Sequence, residues 1–228
     1  MSDRVFAYFD GFNFYYGAVR NTEYKWINIK TLVQLHIDPT DSIVKVKYFT
    51  ARVKSQPDDP HQPNRQQLYF RALETIPEFE LILGFYLEKI KKVRLKLKPK
   101  PIRNFLASIV HPSLIFKSKD LIFAKAIIQE EKGSDVNLAS HLLNDAHLNA
   151  FDHAIVITGD SDLVEPIKII VNELKKKVTV INPQIRPSAE LKRVASKYHN
   201  LNPKVLGSCL FPPNMTDAVG PFHKPPTW

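Results

Sequence analysis

Four aspartates stand where the chain leaves short apolar runs. Asp10 closes Val5-Phe-Ala-Tyr-Phe9. Asp160 and Asp162 follow Ala154-Ile-Val-Ile-Thr158 across Gly159, and Asp135 opens a helical pattern just after Gly133. In open parallel α/β sheets, ligands gather beyond the carboxyl ends of the strands, where the chain turns into the next helix. Several Asp side chains without His or Cys suit a hard divalent cation, Mg²⁺ or Mn²⁺, which prefers oxygen ligands and keeps several waters. Carboxylates crowded within about 4–6 Å raise one another's pKa and resist joint ionisation unless a cation sits among them. In phosphodiester hydrolysis such an ion orients a water, lowers its pKa and stabilises the leaving oxygen. Plainer roles exist for each residue alone. An Asp after a strand can close a turn or cap a helix, and Asp-x-Asp at a helix start complements the helix dipole. Single motifs therefore carry little, and the recurrence of three around one sheet edge carries the argument.

The remaining acids and the histidines fit this chemistry less well. Asp145 lies ten residues after Asp135, about 15 Å along one helix, too far to share an ion. It reads as structural or as the partner of a basic neighbour. Asp58, Asp59 and Asp120 fall in polar segments where solvation explains them. His141 and His147 do not share a helix face, and Cys209 is the one cysteine. A disulfide framework and a Cys-based zinc site are excluded.

The elements that must position the acids alternate between strand and helix patterns, which predicts a mostly parallel sheet. Strands are expected at Val5–Phe9, Ile43–Thr50, Phe79–Phe85, Ala154–Thr158 and Lys177–Ile181. A short helix within Trp26–Ile37 ends before Asp38-Pro39, and another runs from about Asn64 to Ile76 after a polar loop with three prolines. A helix from Ser134 or Asp135 to about Asn149 should bury Val136, Ala139, Leu143 and Ala146, with Ser134 or Asp135 as its cap. Gly159-Asp160-Ser161-Asp162 turns into a helix through Leu174, with Pro166 tolerated in its first turn. A last helix covers Ser188–Lys197. Gly11 and Gly159 permit a sharp turn directly after a strand. From about Pro212 the Pro-rich end reads as an appendage.

One stretch resists this scheme. Lys89, Lys91, Lys92, Arg94, Lys96, Lys98, Lys100 and Arg103 interleave with Val93, Leu95 and Leu97, which reads as an exposed edge strand or hairpin arm. The order of 102–128 is not assignable from pattern.

Lys and Arg together number 32 against 23 Asp and Glu, a net charge of +9. That balance suits an anionic partner such as nucleic acid. An acidic centre in a basic protein is then coherent: the surface holds a phosphate backbone and the centre holds the ion. No apolar run approaches the roughly 20 residues of a membrane span, and the start lacks a signal-peptide core. No membrane association and a reduced, cytoplasmic setting are the expectation.

Three segments carry a family resemblance: Tyr8-Phe-Asp-Gly-Phe-Asn-Phe-Tyr-Tyr-Gly17, Glu131-Lys-Gly-Ser-Asp-Val-Asn-Leu-Ala139 and Ile155-Val-Ile-Thr-Gly-Asp-Ser-Asp-Leu163. With Tyr48-Phe-Thr-Ala-Arg52, Asn64-Arg-Gln-Gln67 and Leu210-Phe-Pro-Pro213, they resemble the NYN domain, the LabA-like (DUF88) branch of the PIN-like nuclease superfamily. The resemblance covers most of the chain, with the motifs in order. It implies a PIN-like three-layer α/β/α sandwich over 1–211, with a basic insertion at about 88–128 and a Pro-rich tail at 212–228. It also implies metal-dependent ribonuclease activity on single-stranded or structured RNA. Asp10, Asp135 and Asp160 would be the metal-binding carboxylates for Mg²⁺ or Mn²⁺, with Asp162 as a fourth catalytic acid. Asn13, Ser161 and Lys132 would contact water or substrate phosphate. The basic insertion departs from the shorter connection expected of the family. It is open between a nucleic-acid clamp, an arm joining subunits in a homo-oligomer, and a solvated hairpin.

Three other readings compare with it. A non-catalytic RNA-binding or regulatory module would keep the fold and cleave nothing. A haloacid-dehalogenase-type phosphatase needs a second Asp two residues after the first, where this chain has Phe12. A Toprim-like domain needs a Glu after its first strand, where this chain has Asp10.

Overall fold

The computed structural model describes residues 2–95 and 122–228. Its centre is a six-stranded sheet built from β1 (Arg4–Asp10), β2 (Ser42–Thr50), β3 (Phe79–Leu83), β6 (His153–Ile157), β7 (Lys177–Asn182) and β8 (Lys197–Asn200). The spatial order is β3-β2-β1-β6-β7-β8, and every neighbouring pair is parallel. The chain winds outward from β1 through β2 to β3, then restarts at β6 beside β1 and winds the other way. The place where strand order reverses, between β1 and β6, is where such sheets open a crevice at their carboxyl ends. Asp10 ends β1, and Asp160 lies in the turn after β6.

Strand periodicity explains the layers, because successive side chains point to opposite faces. Val5, Ala7 and Phe9 of β1 enter one apolar layer, with Ile155 and Ile157 of β6. Phe6 and Tyr8 enter the other, with Ala154 and Val156. The first layer is covered by α2 (Ile29–Gln34) and α3 (Gln62–Glu74) through Ile29, Leu32, Tyr69 and Phe70. The second is covered by α4 (Ser134–His147), α5 (Val164–Asn172) and α6 (Ala189–Val194) through Leu138, Leu142, Ile167, Ile170 and Leu191. Strands buried on both faces read as continuous apolar runs, which is why Val5–Phe9 and Ala154–Ile157 were easy to place.

Several expectations change in detail. The run Phe79–Phe85 is not one strand: β3 stops at Leu83 and Phe85 opens β4 (Phe85–Leu95). Gly84 makes the break, since a Cβ there would lie 2.6 Å from the Lys132 carbonyl oxygen. The apolar face of α4 is Leu138, Leu142 and Ala146, whereas Val136 is exposed. Neither Ser134 nor Asp135 caps that helix. Gly133, in the left-handed region at φ 93°, starts it, and Glu131 Oε1 accepts the Ser134 N–H at 3.0 Å. The last helix ends at Val194, and Lys197 begins β8 instead.

Residues 212–228 are not a loose appendage. Asn214–Asp217 (β9) and Gly220–His223 (β10) pair antiparallel. Phe222 is buried against Trp26, and Trp26 Nε1 donates to the Pro212 carbonyl at 2.9 Å. Arg71 on α3 forms a two-pronged ion pair with Asp217 at 2.7 Å through each nitrogen. Proline-rich composition signals irregular backbone, and it says nothing about whether apolar side chains such as Phe222 find a core.

The basic stretch belongs to a second compact unit, residues 87–130, in which β4 pairs with β5 (Ile122–Lys132) in a two-stranded sheet. The expected strand or arm character is present over Lys89–Arg94. Lys96, Lys98, Lys100 and Arg103 lie outside the described residues.

Candidate active site

Asp10 ends β1 as a buried carboxylate and caps the single turn α1 (Gly11–Phe14). One of its oxygens accepts the Asn13 N–H at 2.9 Å and the other accepts the Thr158 hydroxyl at 3.0 Å. Thr158 in turn accepts the Asp160 N–H at 3.0 Å. Asp160 then caps the 3₁₀ turn Ser161–Leu163, with Oδ1 accepting the Asp162 N–H at 3.0 Å. A continuous hydrogen-bond path thus runs from the β1 terminus to the β6 terminus. Asn13 adds a second tie, because its Oδ1 accepts from Gly159 N–H at 3.1 Å and from Gln184 Nε2 at 2.8 Å. Gly159 is required here, since a Cβ would meet Asn182 Oδ1 at 2.5 Å and Gln184 Cγ at 2.7 Å.

One carboxylate oxygen each from Asp10, Asp135 and Asp160 lies within 4.8 Å of the others, with Asp135 brought in by the start of α4. Asp10 is buried, while Asp135 and Asp160 keep access to solvent. No basic side chain among the described residues pairs with Asp10 or Asp135, and the charges acting on both are carboxylates. Two unit charges at that separation repel by about 3–4 kcal/mol at an effective dielectric near 20. Burial first, and then the charges of Asp135 and Asp160, push the Asp10 carboxyl from 3.8 up to about 7, against the lowering effect of its two hydrogen bonds. Asp135 is raised by burial and then by Asp160, Glu131 and Asp162. Such a cluster is poorly stable as three anions and fits a small, hard cation with oxygen ligands.

The other residues named from sequence fall around this group. Asp162 is exposed and outside the close set, although its charge reaches Asp135. Ser161 is exposed at the first position of the 3₁₀ turn, and Lys132 is exposed beside Gly133. Asn13 spends its carbonyl oxygen on the Gly159 and Gln184 contacts, so its first role is to hold the two loops together. Asp145 sits elsewhere, buried 2.6 Å from Lys47 Nζ and accepting the Tyr8 hydroxyl at 2.7 Å. Sequence reasoning missed Thr158, Gln184 and Glu131. Thr158 could have been suspected as the one polar residue closing an apolar strand, whereas nothing local marks Gln184.

A second group, Asp3, Asp41 and His153, lies at the opposite ends of β1 and β6. Its members are engaged with the protein: Asp3 accepts from Lys177 Nζ at 2.7 Å, Asp41 accepts the Asp3 N–H, and His153 meets Thr179 Oγ1 at 2.8 Å.

A parallel α/β/α sheet with an acidic cluster at its reversal point accords with a PIN-like architecture. The family model for the NYN domain matches residues 87–202, half of the chain, and the protein belongs to that family. Typical NYN members are nucleases that use divalent metals and associate with RNA. Asp135, Asp160 and Asp162 lie inside the matched segment, and Asp10 and Asn13 precede it. The chain is also 28% identical over 249 residues to 6-hydroxy-3-succinoylpyridine 3-monooxygenase HspA of Pseudomonas putida, covering 99% of this chain and 75% of that protein. A crystal structure of a protein of unknown function from Vibrio parahaemolyticus superimposes with a TM-score of 0.52 at 16% identity, covering 88% of this chain and 94% of that one. That likeness concerns the fold. No helix among the described residues is long and apolar enough to cross a membrane.

Proposed function

We propose that the protein is a metal-dependent ribonuclease that hydrolyses RNA phosphodiester bonds at the Asp10, Asp135 and Asp160 cluster. The observation that carries this reading is the convergence of three carboxylates within 4.8 Å with no cationic side chain among them in the described residues. Asp10, Asp135 and Asp160 would hold Mg²⁺ or Mn²⁺, which supplies a polarised water and neutralises charge on the phosphate. Asp10 is fixed by Asn13 N–H and Thr158 hydroxyl, so its orientation does not depend on the ion. Asp135, open to solvent, faces incoming substrate and water. Asp162 adds negative charge at the margin and favours the cation. Lys132 and Ser161, both exposed and close to the cluster in sequence, would contact phosphate oxygens. The net charge of +9 favours encounter with a polyanion.

The test is cleavage of labelled RNA and DNA oligonucleotides across a panel of divalent metals, with Asp10→Asn and Asp160→Asn alongside. Cleavage of RNA in Mn²⁺ or Mg²⁺, lost in both variants, supports the reading. Full activity in both variants rejects the site, and RNA binding without cleavage in any metal favours a regulatory module. A second reading, oxidation of a small heteroaromatic acid, is favoured by one observation: the alignment with the Pseudomonas monooxygenase spans 99% of this chain. Oxygen consumption with 6-hydroxy-3-succinoylpyridine and a reductant, unaffected by Asp10→Asn, would support it.

A further inference from the structure

Beside the acidic cluster the larger unit contains an open cavity. Its wall begins at Gly11 and Phe12, the residues directly after Asp10, and continues through Tyr15, Tyr48 and Trp228 to Lys25 and Arg65. This is an aromatic chamber with a basic rim, the combination that single-stranded nucleic acid binders use to stack bases and hold the backbone.

Two side chains point to a polar aromatic ligand. Tyr48 is only 6% exposed, yet its hydroxyl has no hydrogen-bond partner among the described residues, unlike Tyr69 nearby, which donates to the Ile27 carbonyl at 2.9 Å. The ring is enclosed while the hydroxyl oxygen opens into the cavity, where a ligand acceptor can replace water. The Tyr48 phenol carries an O–H to donate. At the rim Arg65 is neutralised by an ion pair with Asp59. Lys25 has no ion-pair or hydrogen-bond partner among the described residues, which leaves it as the rim cation available to an anion.

We propose that this cavity seats one nucleobase of the substrate strand, stacked on the Phe12 and Tyr15 rings, with the Tyr48 hydroxyl donating to the base edge and Lys25 contacting the adjoining phosphate. The inference rests on the ribonuclease reading, and it names the device by which that site would choose where along a strand it cuts. An acceptor on the base opposite Tyr48, a carbonyl oxygen or an unprotonated ring nitrogen, would take the hydrogen bond that this donor otherwise gives to water.

Calorimetric titration of the whole protein in EDTA tests it without requiring catalysis. The probes are the four nucleoside 5′-monophosphates, ribose 5-phosphate as the baseless control, and benzoate as a ring with an anion but no hydrogen-bonding edge. At least one nucleotide should bind about tenfold or more tightly than ribose 5-phosphate and benzoate. Tyr48→Phe, which preserves packing, should reduce that preference severalfold, and Lys25→Gln should weaken all the phosphates. Equal binding of nucleotide and ribose 5-phosphate, preferred binding of benzoate, or an unchanged preference in Tyr48→Phe would overturn the proposal. The two readings fail separately. Nucleotide preference without cleavage in any metal removes hydrolysis and keeps the pocket. Cleavage abolished by Asp10→Asn with no nucleotide preference does the reverse.

Discussion

Replacing Asp10 by asparagine should stabilise the metal-free protein while destroying the site. In the folded chain burial and two neighbouring carboxylates lift this group from 3.8 to about 7. A carboxyl raised on folding binds its proton more tightly in the folded state than in the unfolded one. Its contribution to stability is therefore fully present below about pH 4, declines as pH rises, and is exhausted above about pH 7. Each tenfold change in protonation is worth about 1.4 kcal/mol, so the full cost at pH 8 is at most about 4 kcal/mol. Asparagine keeps an oxygen for the Asn13 N–H and carries no charge, but it presents an N–H₂ where Asp10 accepted from Thr158, so the gain is that cost less about one hydrogen bond, roughly 1 kcal/mol. Urea unfolding in EDTA at pH 5 and pH 8 measures it. The expected gain of Asp10→Asn over the natural protein is a few kcal/mol at pH 8 and clearly smaller at pH 5. Added Mn²⁺ should then stabilise the natural protein and leave the variant unmoved. A variant less stable than the natural protein at pH 8, or equal Mn²⁺ stabilisation of both, would refute the claim that Asp10 is a strained anion awaiting a cation.

Three further outcomes follow from other contacts. Lys47→Ala leaves Asp145 buried with only the Tyr8 hydroxyl; urea unfolding should show a loss of about 3–5 kcal/mol, and the paired change Lys47→Met with Asp145→Leu should recover much of it. Gln184→Ala removes the side chain that holds Asn13; RNA cleavage should slow by about tenfold through misplaced loops, with the melting temperature nearly unchanged. Replacing Lys96, Lys98 and Lys100 by Glu should weaken RNA binding and flatten its dependence on salt, and an unchanged salt slope in a filter-binding assay would make the basic stretch a solvated arm.

The central strands and the acids at their ends were readable in the sequence because both obey local rules. A strand buried on two faces is an unbroken apolar run, and a turn after it needs glycine, so Phe9-Asp10-Gly11 and Thr158-Gly159-Asp160 mark their own positions. What was not readable depends on partners far along the chain. Gly84 breaks Phe79–Phe85 because Lys132 backbone passes beside it, and no pattern within 79–85 reports that. Val136 fits a helical stripe as well as Leu138 does, and only the placement of α4 against the sheet decides which one is buried. The residues 212–228 looked irregular, yet Trp26 and Arg71 give Phe222 and Asp217 their places. Within the site, Asp10 and Asp160 announced themselves by position, whereas Gln184 enters from the loop after β7 and carries no motif.

Crystals soaked in Mn²⁺ and measured for anomalous scattering offer the most direct measurement of whether the carboxylate cluster holds a cation. A peak at coordination distance from oxygens of Asp10, Asp135 and Asp160, absent from Asp10→Asn crystals, is the result expected. No peak there at saturating Mn²⁺, or a peak only beside Asp3, Asp41 and His153 at the other end of the sheet, would contradict it.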